Sequence, residues 1–320
     1  MTWRRLPGRG SAAAAVFVVA VLCWSASPGA PAHAAPGRAA TSARLTAQAR
    51  GVAQPATPRC DPKASLRPLG PPTVTPGSFM AKIRARGRLI AGVDQNTYHF
   101  GYLNPSSGQI EGFDIDMLHA IAAAIFGNPD KIRFVAMSND QRIRAVQSGQ
   151  VDIVAHTMTI TCARWRQVDF STVYFDAHQR VLVRSDSTAK GLFALSGQKV
   201  CTTIGSTSLP IIRAMADLIA VTRRYSVDCL VLLQQGDVAA ISTDDSILAG
   251  LKAQDPFTKI VGPRLADEPY GLAISKQHPD FVRFVNAVLA RLRANGQWAA
   301  SYKRWVGGPV PAPPPARYQG

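Results

Sequence analysis

The chain has 320 residues, 47% hydrophobic and 18% charged, enough apolar side chain to bury one large core or two modest ones and too much for a disordered tail. Lys and Arg outnumber Asp and Glu by 36 to 20, a formal charge of +16 that suits an anionic partner without choosing among nucleic acid, a membrane surface and an acidic ligand. The apolar, uncharged run at 11–26 is shorter than the roughly 20 residues that span a bilayer, which excludes a polytopic membrane protein.

Residues 1–34 fall into three zones: Arg4, Arg5 and Arg9, an apolar stretch from Ala12 to Ala26, then small residues and prolines ending in Ala32-His33-Ala34. That is the layout of a secretory signal peptide, and Pro28 and Pro31 stop a helix just after the apolar run. The protein is expected to be exported and extracytoplasmic or periplasmic. Cys23 stands where a lipid-modified cysteine would lie, although Leu22 is bulky for such a site. Lipid on Cys23 and an uncleaved N-terminal anchor are the two routes to a membrane tether. Cleavage removes three arginines and no acid, so the basic balance survives it.

Cys60, Cys162, Cys201 and Cys229 remain, an even number that suits two disulfides in an oxidising compartment. Of three pairings, Cys201 with Cys229 and Cys60 with Cys162 is favoured, with free thiols as the alternative. No metal is expected, because close Cys-x-x-Cys or His spacing is lacking.

Residues 35–76 are rich in Ala, Pro, Arg and Thr and read as a linker or tether, and residues 308–320 read as an extended, solvated tail with five prolines from Pro309 to Pro315. Between them strand-like and helix-like segments alternate. Arg88–Val93, Ile132–Ala136 and Asp152–Ala155 are strand-like, and Ile115–Phe126 and Gln141–Ser148 carry helical spacing, the latter closed by Gly149. A second series takes a strand at Lys199–Thr202, a helix at Ser208–Leu218 and a strand at Val238–Ser242. Helices at Pro279–Arg293 and Gly296–Trp305 carry an apolar face. The alternation argues for α/β architecture with parallel-type sheets in two lobes.

In this order the segments resemble the substrate-binding proteins of ABC importers for polar amino acids, solute-binding family 3. The resemblance covers about 77–307. It rests on Arg88-Leu-Ile-Ala-Gly-Val-Asp94, Glu111-Gly-Phe-Asp-Ile-Asp116, Arg142-Ile-Arg-Ala-Val-Gln-Ser-Gly149 with Val151-Asp-Ile-Val154, and Thr157-Met-Thr-Ile-Thr161 with Arg164 and Val168-Asp-Phe-Ser171. Gly205-Ser-Thr207, Gly236-Asp-Val-Ala239, Thr243-Asp-Asp245 and Asp267-Glu-Pro-Tyr-Gly271 continue it. It implies the type-II periplasmic-binding-protein fold, with lobe I at 77–178 and 268–307, lobe II at 179–267, and a two-segment hinge near Tyr174–His178 and Glu268–Leu272. Ligand would be enclosed as the lobes close.

A free amino acid carries a carboxylate and an ammonium at fixed separation, so its cleft needs a cation on one side and an acid on the other. The Arg164 fork matches a carboxylate bidentately, and the resemblance puts the α-carboxylate there. The alternative is a solvated helix arginine. Thr159 and the backbone around Thr157 would add donors, Thr157 standing where some relatives have glycine. The resemblance gives the ammonium to Asp244, with Asp245 as helix cap and Asp94 as a further ammonium partner. Gly205, Ser206 and Thr207 lie between a strand and a helix, an arrangement that favours a carboxylate or serves as an ordinary N-cap. In glutamate- and aspartate-binding relatives a similar segment takes the side-chain acid, and an arginine in the place of Arg142 helps neutralise it. Tyr98 or His99 would touch ligand.

These residues imply a receptor for aspartate or glutamate, binding asparagine and glutamine more weakly and delivering them to a permease, expected as a monomer with no cofactor. A sensor subunit signalling to a membrane protein is the alternative with the same ligand. A dehydratase-like enzyme is the rival class, for which Glu268 is the acid to watch, since catalytic residues are otherwise lacking. Scattered basic residues and the absence of a nucleic-acid motif argue against nucleic acid.

Overall fold

The computed structural model describes residues 60–319. The expected leader at 1–34, with Cys23, and the linker up to Arg59 lie outside the described residues. Strand β1 (Ala64–Ser65) precedes helix α1 (Phe79–Arg86), which Ser78 caps by accepting the Ala81 amide. Strand β2 (Leu89–Val93) leads into a small three-stranded sheet, β3 (Asn96–Thr97), β4 (Gly101–Leu103) and β5 (Ile110–Glu111). Helix α2 (Phe113–Phe126) buries Phe113, Ile115, Met117, Leu118, Ile121, Ala122 and Ile125, an apolar face wide enough to pack on the sheet and on a second helix layer. It ends at Gly127, left-handed at φ 71°. β6 (Ile132–Ala136), α3 (Arg142–Gln147), β7 (Ile153–Ala155), the one-turn helix α4 (Cys162–Trp165) and β8 (Asp169–Phe170) complete this first run.

The chain then leaves along β9 (Phe175–Arg184), and β10 (Lys199–Thr203), α5 (Ser208–Ala214), β11 (Ile219–Arg223), α6 (Ser226–Gln235), β12 (Ala240–Asp244) and α7 (Asp245–Gln254) build the second lobe. It returns along β13 (Thr258–Tyr270) and closes with β14 (Ala273–Ile274), α8 (Pro279–Ala294), α9 (Gln297–Trp305) and β15 (Arg317–Tyr318). α5 stops before the expected Leu218, because Met215 turns extended and lets Met215 and Leu218 pack on the lobe II core.

Each lobe holds a five-stranded sheet, β6-β2-β7-β14-β8 in lobe I and β11-β10-β12-β9-β13 in lobe II. The expected parallel sheets are mixed. β2 pairs parallel with β6 and β7, and β10 with β11 and β12, whereas β14, β9 and β13 pair antiparallel with their neighbours. The reason is topological: in each sheet one strand runs against the others, β9, which brings the chain into lobe II, and β14, which follows its return to lobe I. Along β9, Val181 and Val183 face one lobe II core and Leu182 the other, the two-residue alternation of a strand covered on both faces. The two crossing strands pair with each other at the hinge, Asp267 opposite His178 and Tyr270 opposite Phe175.

Both termini of the described chain depart from the solvated linker and tail. β1 pairs in parallel with β15, Ser65 donates to the Phe170 carbonyl at 2.6 Å, and buried Asn286 donates to Ser65 and to the Leu66 carbonyl. Composition hides this packing because the bonds join segments some 250 residues apart, Ala64 with Arg317 and Ser65 with Tyr318. Disulfides join Cys60 to Cys162 and Cys201 to Cys229.

Candidate functional site

The lobes meet over the loops that follow the C-terminal ends of β2, β6, β7, β10 and β12, where strand ends and helix starts bring polar groups together. From lobe I, Arg142 stands at the first position of α3 and is only 3% exposed. Its Nε donates to the Asn139 carbonyl at 2.9 Å, Nη1 to the His156 carbonyl at 3.0 Å and Nη2 across the cleft to the Gly205 carbonyl at 3.3 Å. Arg164, on α4, donates from Nη1 to the Thr159 carbonyl at 2.7 Å and from Nη2 to the same Gly205 carbonyl at 2.9 Å. Burial and, for Arg142, the neighbouring Arg164 lower both guanidinium pKa values, that of Arg142 to about 9. Among the described residues neither pairs with a carboxylate.

The Thr157–Thr161 segment is held from behind. Buried Asp114 accepts the Thr157 amide at 2.8 Å and the Tyr174 hydroxyl at 2.6 Å, and burial raises its pKa to about 6. Thr157 takes φ +41°, a left-handed conformation rarely adopted by a β-branched residue. Thr159 donates its hydroxyl to Glu268, which also accepts from Thr207 at 2.7 Å. Glu268, which the sequence placed at the hinge as an acid to watch, thus sits in the cleft, 1% exposed, with one lobe's threonine on each side.

From lobe II, Gly205 has φ +76°, and a Cβ there would stand 2.9 Å from the Asp140 amide nitrogen, so only glycine lets the lobes approach this closely. Ser206 acts as a local cap, donating to the Thr203 carbonyl and accepting the Leu209 amide. Asp244 is 4% exposed and accepts the Tyr270 hydroxyl at 2.6 Å. Burial, and then Glu268 nearby, push its pKa well above the ordinary carboxylate range. Asp245, expected as the cap of α7, instead accepts the His178 amide at 3.0 Å and so ties α7 to the hinge.

Asp94 and Tyr98 stand at the rim of this group. The Asp94 carboxylate accepts the Gln95 and Asn96 amides and the Thr97 hydroxyl, the pattern of a residue that closes its own turn. Tyr98 is half-buried, edge-on to Tyr102, and its carbonyl approaches Gly250 of lobe II. Sequence reasoning passed over His156. It is 2% exposed, its Nε2 donates to the Met137 carbonyl at 2.9 Å, and Nδ1 has no partner among the described residues. It lines a small cavity shared by Asp94, Thr97 and Thr157 of lobe I and Thr203 and Arg224 of lobe II. A histidine between Ala155 and Thr157 in a buried stretch gives no periodic signal to find it by.

The arrangement offers cations, carboxylates and hydroxyls in a cleft beside the two paired crossing strands. Residues 89–308 match the family described as bacterial extracellular solute-binding proteins, family 3. The ABC transporter glutamine-binding protein GlnH of Bacillus subtilis (strain 168) is 37% identical over 230 residues, covering 71% of this chain and 84% of the relative. The L-glutamate/L-aspartate-binding protein of Pseudomonas aeruginosa is 28% identical over 244 residues, 72% of this chain and 81% of the relative. Among solved structures, an ancestral arginine-binding protein bound to glutamine superimposes with a TM-score of 0.65 at 34% identity, covering 70% of this chain and 99% of its own. With a cleft between two mixed α/β lobes and a match that spans both, the chain belongs to the bacterial extracellular solute-binding proteins, family 3.

Proposed function

We propose that the protein is an exported receptor for acidic amino acids, aspartate and glutamate, with asparagine and glutamine as weaker ligands, and that it delivers them to an ABC permease by lobe closure. The observation that carries this reading is the convergence of two guanidiniums, of buried Arg142 and half-buried Arg164, on the single carbonyl of Gly205. Buried cations without acidic partners are costly. A dicarboxylic amino acid supplies one carboxylate for each, and Asp244 takes its ammonium.

In this reading Arg164 and the Thr157–Thr159 backbone bind the α-carboxylate. Arg142 with Gly205, Ser206 and Thr207 faces the side-chain acid. Asp94 and Tyr98 border the ligand from the rim. Lobe I is assigned to 77–178 and 268–307 and lobe II to 179–267. The leader at 1–34 would be removed on export, with Cys23 the candidate tether. A membrane sensor reading the closed form would use the same hinge.

Glu268 favours a second reading. A carboxylate already bonded to Thr159 and Thr207 makes a side-chain amide, which donates as well as accepts, a better neighbour than a second acid, and glutamine-binding relatives support it. Calorimetric titration of refolded protein spanning 35–320 with aspartate, glutamate, asparagine and glutamine tests both. Tightest binding of the acids, with an acid-to-amide ratio that falls about tenfold in Arg142→Ala, supports the first reading. Tightest binding of glutamine supports the second, and binding of none overturns both.

A further inference from the structure

We propose that the Cys60–Cys162 disulfide is the positioning element for Arg164, and that its reduction weakens amino-acid binding. The inference rests on the reading of Arg164 as the carboxylate anchor. Arg164 rides on α4, a helix of four residues, none of them buried. A single turn fixes three residues for one hydrogen bond and is unstable without outside support. Non-covalent support comes from the Thr161 side chain accepting the Arg164 amide at 3.2 Å, from the two carbonyls that take the Arg164 guanidinium, and from partly buried Trp165 packed beneath Lys276. To this partial support a covalent bond is added at Cys162, the first residue of the turn and two before Arg164.

The other end of that bond is itself anchored. Cys60 begins an arm whose Asp61 pairs with Arg317 at 3.2 Å, and whose Ser65 is fixed to Phe170 and Asn286 of lobe I. Lys63 lies 3.9 Å from Asp267, the residue before Glu268. The arm therefore reaches the neighbours of two cleft side chains and is stapled to one of them. The two disulfides also differ in access. Cys201 and Cys229 are 0% exposed in the lobe II core, whereas Cys60 is exposed and Cys162 partly so. A soluble thiol meets the staple first.

Reduction by dithiothreitol breaks the Cys60–Cys162 bond, moves two electrons and two protons onto the two sulfurs, and leaves the reagent as its cyclic disulfide. The experiment reduces protein spanning 35–320, which lacks Cys23, under native conditions, alkylates free thiols, maps them by peptide mass, and titrates both forms with L-glutamate and L-glutamine. Alkylation at Cys60 and Cys162 alone, with a roughly tenfold rise in Kd, is expected. A Cys60→Ser/Cys162→Ser variant should show the same weakened Kd, insensitive to reductant, while Arg164→Lys should respond to reduction less than about twofold because the two changes act on one group. Complete alkylation at Cys60 and Cys162 with unchanged Kd overturns the proposal, and so does a tenfold response that persists in Arg164→Lys. If Arg164→Lys binds as the oxidised wild type does, the anchor reading itself falls. Loss in Arg164→Lys without loss on reduction overturns only the staple.

Discussion

The two lobes contribute opposite chemistry to the cleft and hold it in opposite ways. Lobe I brings the guanidiniums of Arg142 and Arg164, and each reaches the Gly205 carbonyl across the gap, so part of their fixation forms only when the lobes meet. Lobe II brings Asp244, which accepts the hydroxyl of Tyr270 on the returning hinge strand, and Ser246 of α7 bonds that same hydroxyl at 2.7 Å. The acid is thus held against the hinge, and the cations are held in part across the cleft. In the proposed reading a ligand with a carboxylate and an ammonium would bridge the two, and the contacts across the cleft that favour closure would come from the lobe I side.

Removing a member from either side breaks this comparison most sharply. Arg164→Ala should weaken binding several hundredfold, because it removes a two-pronged charge-assisted contact from a buried site, and titration calorimetry measures it. Asp244→Asn should cost less, on the order of a hundredfold, since the amide still accepts a bond from the ammonium. Its diagnostic is protonic. Asp244 holds its proton above the usual carboxylate range until an ammonium arrives, so binding to the wild type should release protons, read from heats in buffers of different ionisation enthalpy. Loss of that release in Asp244→Asn assigns it, and unchanged release assigns it elsewhere.

Behind the lobe I face, Asp114 predicts a pH dependence of stability of its own. Desolvation raises its pKa from 3.8 to about 6, with Asp94 adding to the rise and Tyr174, the Thr157 amide and Arg142 opposing it. The folded protein therefore binds this proton more tightly than the unfolded chain does. The stability contributed by this group is present below about pH 4 and is lost as pH rises through about 6. Denaturation of wild type against Asp114→Asn should shift by about 1 kcal/mol in favour of wild type between pH 7 and pH 5. A constant difference would show that Asp114 does not titrate in this window.

Much of this was legible before any coordinates. The apolar spacing of α2 and α8 marks them as helices, and the segments carrying Arg142, Thr157, Thr159, Arg164, Gly205 and Asp244 are drawn together around one cleft. What escaped was set by long-range geometry. Glu268 reads as a hinge residue in Asp267-Glu-Pro-Tyr-Gly271, yet strand alternation turns it inward with Tyr270 while Asp267 points out. The arm at 60–66 looks like linker because its partners, Phe170, Asn286 and Arg317, are remote in sequence. His156 escaped because burial and an unpartnered ring nitrogen are properties of packing.

The smallest expected effect returns to the two lobes, each of which turns its backbone into the left-handed region at the cleft. Lobe II does so with Gly205 at φ +76°, at no steric cost, and lobe I with Thr157 at φ +41°. A β-branched residue there stores roughly 1–3 kcal/mol of strain, which the Asp114 bond to its amide helps to hold. Thr157→Gly releases that strain but enlarges the freedom of the unfolded chain, so a net gain of about 1 kcal/mol in stability is expected, seen as a higher Tm. Affinity should fall a few-fold in the same variant, as the turn carrying Thr159 and Arg164 loses a conformational constraint. A Tm that falls instead would mean that the Thr157 side chain contributes more by packing and hydroxyl bonding than its backbone costs.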